Sequence, residues 1–178
     1  MSEALKKASE ELKTRYKKSD TKAAKIIGYG ALKYAILKVS PEKNVIFNWQ
    51  QALSFEGETA PYMQYAYARI SSIIKKNKKA LPKKADFLLL DKKEETELIK
   101  KLSAFPQIVE KATVELKPNI IASYSYELAK QFNEFYHIHN ILNEKEKIKK
   151  ARLLLIKCVQ QTLKNSLNLL GIDVLDRM

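Results

Sequence analysis

The sequence predicts an all-α protein, a helical bundle of five or six helices, from three observations. Apolar residues recur at intervals of three and four through most of the 178-residue chain, the spacing of helices with one buried face. Only one short segment, Val45-Ile46-Phe47-Asn48-Trp49, has the β-branched and aromatic character of a strand, and no second segment exists to pair with it. Glycine is scarce, with 4 residues, and the prolines sit where helices would begin or stop. The 46% apolar content is that of an ordinary globular protein, and a chain this long buries about 70% of the surface it would expose unfolded, so a core needs no disulfide or metal. No period of about 20 to 50 residues repeats, which argues against a solenoid. A single domain over residues 1–178 is expected.

In order, residues 2–18 place Ala4, Leu5, Ala8, Leu12 and Tyr16 on one side of an amphipathic helix with Ser2 as a candidate cap. Thr21 is placed to cap a second helix through Val39, with Ile26, Ile27, Leu32, Ala35, Ile36 and Val39 as its apolar stripe, until Ser40-Pro41 stops it. Gly28-Tyr29-Gly30 lacks the longer spacing and Lys-Ser/Thr ending of a phosphate loop, which leaves close helix packing or a kink. The segment 45–49 reads as an extended connector that turns apolar groups into the core. A third helix starts near Pro61 and runs to about Asn77. A Lys-rich loop follows at about residues 75–90, where KKNKKALPKK holds six lysines and a proline. Helices are then expected over 92–105 with a continuation from Pro106 to 116, over 118–138, and over 146–170 with Gly171 as the stop.

Charge narrows the function classes. With 33 basic and 20 acidic side chains the formal net charge is +13, which favours a polyanionic partner, nucleic acid before anionic membrane. A lysine-rich proteome or a thermophile's surface would give the same balance, since all but four of the basic residues are lysine. The lysines are scattered rather than set opposite one large apolar face, which disfavours a membrane-surface role. No uncharged run reaches the ~20 residues of a membrane span, and the opening MSEALKK lacks the pattern of a signal peptide; a cytoplasmic protein is expected. Cys158, the one cysteine, should pack as a small hydrophobe. His137 and His139 point apart on a helix and no further ligands join them, so no metal or other cofactor is expected. Glu56 and Glu58 lie in a turn without a partner base or nucleophile, and no catalytic constellation is found.

The stretch PYMQYAYAR raises the sharpest functional question. At about 100° per residue, Met63, Ala66, Tyr67, Ile70 and Ile74 form a sufficient core stripe, while Tyr62, Tyr65, Arg69, Ser72 and Lys76 fall on an adjacent arc. Aromatic faces beside cations are what single-stranded nucleic acid uses: bases lie on the rings and phosphates on the charges. The same spacing serves two tyrosines that merely cover a neighbouring helix. On the helix over 118–138, Phe132 and Phe135 read as core and Tyr136 as the exposed ring.

The segments GALKYAILKVSPEKNVIFNW (residues 30–49), ALSFEGETAPYMQYAYAR (52–69), IIASYSYELAKQFNEFYH (120–137) and ARLLLIKCVQQTLKNSLNLLGI (151–172) together resemble the C-terminal anticodon-binding domain, the DALR domain, of arginyl-tRNA synthetase, a class I enzyme, of the archaeal and eukaryotic kind. The resemblance implies a helical bundle that clasps the anticodon loop and inner stem of arginine tRNA. It implies that Tyr65 and Tyr136 contact anticodon-loop bases and that Met178 contributes its carboxylate near the same pocket. Tyr62, Tyr65, Arg69, Lys76, Tyr136, Asn140 and Met178 are thus the candidate tRNA-binding residues. Gly30 and Lys33 stand where the family's name-giving Asp and Arg are found, Tyr67 where His is common, and Asn140 where eukaryotic members place Trp. The adenylation motifs of class I synthetases do not occur in this chain. The expectation is therefore a tRNA-binding monomer without catalysis of its own, either part of an ATP-dependent arginine–tRNA ligase with its catalytic domain in cis or in trans, or a free-standing paralogue. The alternative is a helical adaptor that delivers tRNA to another enzyme.

Overall fold

A computed structural model of the chain describes residues 6, 7, 10 and 21–178. The helix expected over residues 2–18 falls outside these residues except at Lys6, Lys7 and Glu10, which are helical. The described residues form seven α-helices and no strand: α1 Thr21–Leu37, α2 Trp49–Ala52, α3 Ala60–Lys76, α4 Lys93–Ser103, α5 Phe105–Val114, α6 Pro118–Ile138 and α7 Glu146–Leu169. A 3-10 turn at Phe87–Leu89 interrupts the long connection between α3 and α4. The all-helical expectation holds, and the count is higher for two local reasons. Asn48 caps a short helix at Trp49 by accepting the Gln51 N–H at 3.1 Å, where a connector was expected. Pro106, which has no N–H to give to the ladder, leaves α4 and α5 as separate helices joined at Ala104.

The helix ends follow from their residues. Thr59 caps α3, its hydroxyl accepting from the Tyr62 N–H at 3.3 Å and donating to the Ser54 carbonyl at 2.6 Å, with Pro61 in the first turn. Glu95 reaches back from the first turn of α4 to accept the Lys92 N–H at 3.1 Å. Gly171 ends α7 with φ +67°, and the N–H groups of Gly171 and Ile172 close onto Asn168 and Leu167. Leu116 ends α5 with the same pattern of bonds at φ +54°, a left-handed conformation that glycine would adopt without steric cost.

Helix α6 is central, packing against α1, α3, α4, α5 and α7. Its Leu128, Phe132 and Phe135 are fully buried in a main core with Met63 and Ile70 of α3 and Ile156, Val159 and Leu163 of α7. A smaller core joins Ala24, Ile27 and Ala31 of α1 to Ala52, Leu53 and Phe55, and Phe47, Trp49, Tyr65, Leu175 and Met178 pack around it. Gly30 lets α1 approach closely: a Cβ there would lie 2.9 Å from Gln64 Nε2 and 3.2 Å from Ile172 Cγ2. After α7 the chain returns as a strap, residues 171–178, over α1 and α3. Lys33 Nζ donates to the Gly171 carbonyl, and buried Gln64 donates from Nε2 to the carbonyls of Ile26 at 3.3 Å and Asp173 at 2.8 Å.

Three core expectations are corrected. The buried stripe of α1 is Ala24, Ile27, Ala31 and Tyr34, and Ile36 is exposed, because the helix turns its small residues toward its neighbours. Val45 and Ile46 are exposed, Ile46 almost completely, since the connector runs along the surface and only Phe47 turns inward to meet Trp49 edge-on. Cys158 is exposed, sharing a face of α7 with exposed Gln161 and Asn165 at i+3 and i+7.

A buried ion pair locks the far end of the bundle. Arg152 of α7 donates from Nε to Glu95 of α4 at 2.7 Å and from Nη1 to the Asn140 carbonyl at 2.6 Å, with Glu144 at 3.3 Å. Beside it, His139 Nε2 lies 2.9 Å from Glu94 Oε2.

Candidate nucleic-acid interface

Helix α3 presents Tyr65 and Arg69 one turn apart, and α6, packed beside it, presents Asn133 and Tyr136 at i, i+3. The four side chains meet. The Arg69 guanidinium lies between two rings, 4.7 Å from the centroid of Tyr65 and 5.0 Å from that of Tyr136. Its Nη1 donates to Asn133 Oδ1 at 3.0 Å, which fixes the plane of the guanidinium. Each cation–π contact contributes about 0.5 to 2 kcal/mol depending on how dry it is. Tyr65 is further held edge-on by Phe55, and Tyr136 stacks on buried Phe132 with an interplanar angle of 29°. Both phenols remain accessible: Tyr65 is half-buried and Tyr136 is 39% exposed. Met178 packs against the same small core as Tyr65.

The other candidates lie elsewhere. Tyr62 turns to the main core, where its ring meets Tyr126 of α6 at 5.7 Å, so it covers a neighbouring helix. Tyr67 is buried and meets Asp176 of the strap; burial first, then the nearby Asp176 carboxylate, push its hydroxyl pKa upward. Lys76 ends α3, about 10 Å along the axis from Arg69, in a separate groove of about 470 Å³. Asn140 follows the end of α6 with its side chain exposed and its carbonyl held by Arg152, and no ring contact or hydrogen bond joins it to the aromatic stack.

Asn133 and Gln64 escaped the reading of the sequence. The available signal for Asn133 was its position three residues before Tyr136 on one face of α6. For Gln64 the signal was a polar residue beside the core stripe in PYMQY, which must find partners when buried. Among the described residues no cluster of three or more His, Cys, Asp or Glu could hold a metal, and no helix is long and apolar enough to cross a membrane.

Residues 63–178, which carry α3, α6, α7 and the strap, match the model of the DALR anticodon binding domain. The chain belongs to the DALR anticodon binding domain family. Among proteins similar to this DALR chain, the arginine–tRNA ligase of Pyrococcus abyssi is 49% identical over 159 residues, which covers 87% of this chain and 25% of that protein. That of Clostridium perfringens is 42% identical over the whole chain and 32% of its own length. Of solved structures, Thermus thermophilus arginyl-tRNA synthetase superposes with a TM-score of 0.90 at 32% identity, over 99% of this chain and 31% of that one. Arginyl-tRNA synthetase of Plasmodium falciparum gives 0.87 at 25% identity, over 99% of this chain and 32% of that one. The DALR chain thus spans about a quarter to a third of the length of these relatives.

Proposed function

We propose that this chain binds the anticodon loop of arginine tRNA, as the anticodon-binding part of an arginyl-tRNA synthetase whose catalytic domain lies in cis. The observation that carries the reading is the Tyr65–Arg69–Tyr136 stack, set at the surface of a DALR bundle with a guanidinium already between the rings. Unstacked loop bases lie on such phenols, and each base so stacked contributes about 1 to 3 kcal/mol. Met178, on the same small core as Tyr65, adds an apolar edge; Lys76 supplies charge further along α3. Tyr62 and Asn140 act through position, Tyr62 by fixing the start of α3 against α6 and Asn140 by leaving an amide exposed at the end of α6. The chain carries no adenylation chemistry of its own in this reading; the match of residues 63–178 to an anticodon-binding domain supports that division of labour. It would work as a monomer in the cytoplasm, with the translation machinery.

The test is competition binding. Labelled arginine tRNA should be displaced by unlabelled arginine tRNA and poorly by the same tRNA with its second anticodon base changed from C to A. Equal displacement by both tRNAs sinks anticodon recognition.

A further inference from the structure

The groove that receives Lys76 lies between the C-terminal half of α3, α7 and the strap. Three cations reach it from two separate segments: Lys75 and Lys76 from the last turn of α3, and Arg177 from the strap. None of the three makes an ion pair among the described residues. The one carboxylate in the groove is already engaged. Asp176 Oδ1 accepts from the Ser71 hydroxyl at 3.1 Å, and Asp176 also lies against the Tyr67 hydroxyl. Ser71 in turn accepts from Gln160 Nε2 at 2.6 Å, so the acid belongs to a hydrogen-bonded floor rather than to the cations. Ser72, exposed at the rim, offers a further hydroxyl. The result is a walled concavity of about 470 Å³ with a surplus of positive charge, a shape that focuses the field on an anion.

The groove also shares a face with the aromatic stack. Arg69, Ser72 and Lys76 follow at i, i+3 and i+7 on α3, one continuous ridge about 10 Å long. A strand whose bases lie on Tyr65 and Tyr136 and whose backbone continues along this ridge arrives at the cations. We propose that the groove is a phosphate subsite, in which Lys75, Lys76 and Arg177 neutralise backbone phosphates of the RNA whose loop occupies the Tyr65–Arg69–Tyr136 stack. This rests on the RNA-binding reading of the stack and extends it to a second site with a different chemistry. The stack takes bases and the groove takes charge.

The two sites separate by salt dependence. Each phosphate contact on a single strand contributes about 0.7 to the slope of log affinity against log salt, and a stacking contact contributes none. In the variant Lys75→Gln, Lys76→Gln, Arg177→Gln the slope for arginine tRNA should fall by about two, while preference over the anticodon-swapped tRNA is retained. Tyr65→Ala should instead weaken binding by about tenfold or more at every salt concentration, with the slope unchanged. A control, Lys100→Gln with Lys111→Gln on α4 and α5, should leave the slope in place. An unchanged slope in the triple variant, or an equal fall in the control, overturns the groove assignment even if the wild-type protein binds tRNA. Loss of anticodon preference in the wild type overturns the reading of the stack instead. Titration with AMP and with inorganic phosphate, followed by amide shifts at Ser72 and Lys76, identifies the source of the anion: saturation by either, with the tRNA slope of the triple variant unchanged, makes this a small-anion site and defeats the proposal.

Discussion

Arg69 links the two helices of the interface through its side chain alone, which sets what each substitution there should do. Arg69→Ala leaves Tyr65 and Tyr136 without the group between them and Asn133 without its donor, so tRNA affinity should fall by about 1 to 3 kcal/mol in a filter-binding or fluorescence assay. Arg69→Lys should recover little, because an ammonium cannot lie flat between two rings. A lysine variant that binds like wild type would reduce Arg69 to a point charge. A second residue-scale consequence concerns pH. The hydrogen bond from His139 is the main cause that holds the Glu94 carboxyl below its ordinary pKa. A depressed folded-state pKa contributes stability that is complete above the unfolded-state value and disappears as pH falls through the folded-state value. The melting temperature should therefore drop on acidification below the usual glutamate range, and Glu94→Gln should make that drop shallower. Identical acid limbs for the two proteins would show that the pair carries no linkage. The tyrosines and arginine of the site were legible in the sequence, because ring and cation types at helical spacing name their own chemistry. Which tyrosine joins the Arg69 stack was not: Tyr62 and Tyr65 share an arc, and only the position of Tyr126 on α6 draws Tyr62 away.

At the scale of elements, most boundaries were readable because caps and prolines act locally. Pro61, Pro118 and Gly171 stand where the structure uses them. The end of α5 is the exception: it closes with a left-handed leucine that no local pattern announces, and its side chain is 81% exposed. A left-handed non-glycine residue costs about 1 to 2 kcal/mol, partly offset by the greater chain entropy that glycine loses on folding. Leu116→Gly should thus stabilise the protein by up to about 1 kcal/mol in urea denaturation. A destabilised variant would mean that the exposed leucine makes a contact worth more than the strain. The buried stripe of α1 departs from its hydrophobic pattern for a related reason. Isoleucines carry the stronger hydrophobic signal, yet alanines and a tyrosine join Ile27 in the buried stripe because small residues permit the close approach that Gly30 also serves.

For the whole molecule, the sequence made the fold class plain because helical periodicity persists along the chain, whereas the meeting of α4, α6 and α7 depends on side chains more than fifty residues apart. Glu95 and Arg152 are fully or almost fully buried and form the centre of that junction. Removing one partner of a buried pair costs about 3 to 5 kcal/mol because the other is left charged and unpaired. Arg152→Ala should therefore destabilise the bundle by that amount, and Arg152→Met with Glu95→Leu should restore most of it. If the single variant unfolds at the wild-type denaturant midpoint, the pair is not what joins these helices. The groove at the end of α3 and the small core are also assembled from distant parts, since the strap brings Arg177 to the one and Met178 to the other. Those residues emerge from the ribosome after every helix they fasten, and domains fold as they are synthesised. Nascent protein therefore completes these helices before the strap can close over α1 and α3.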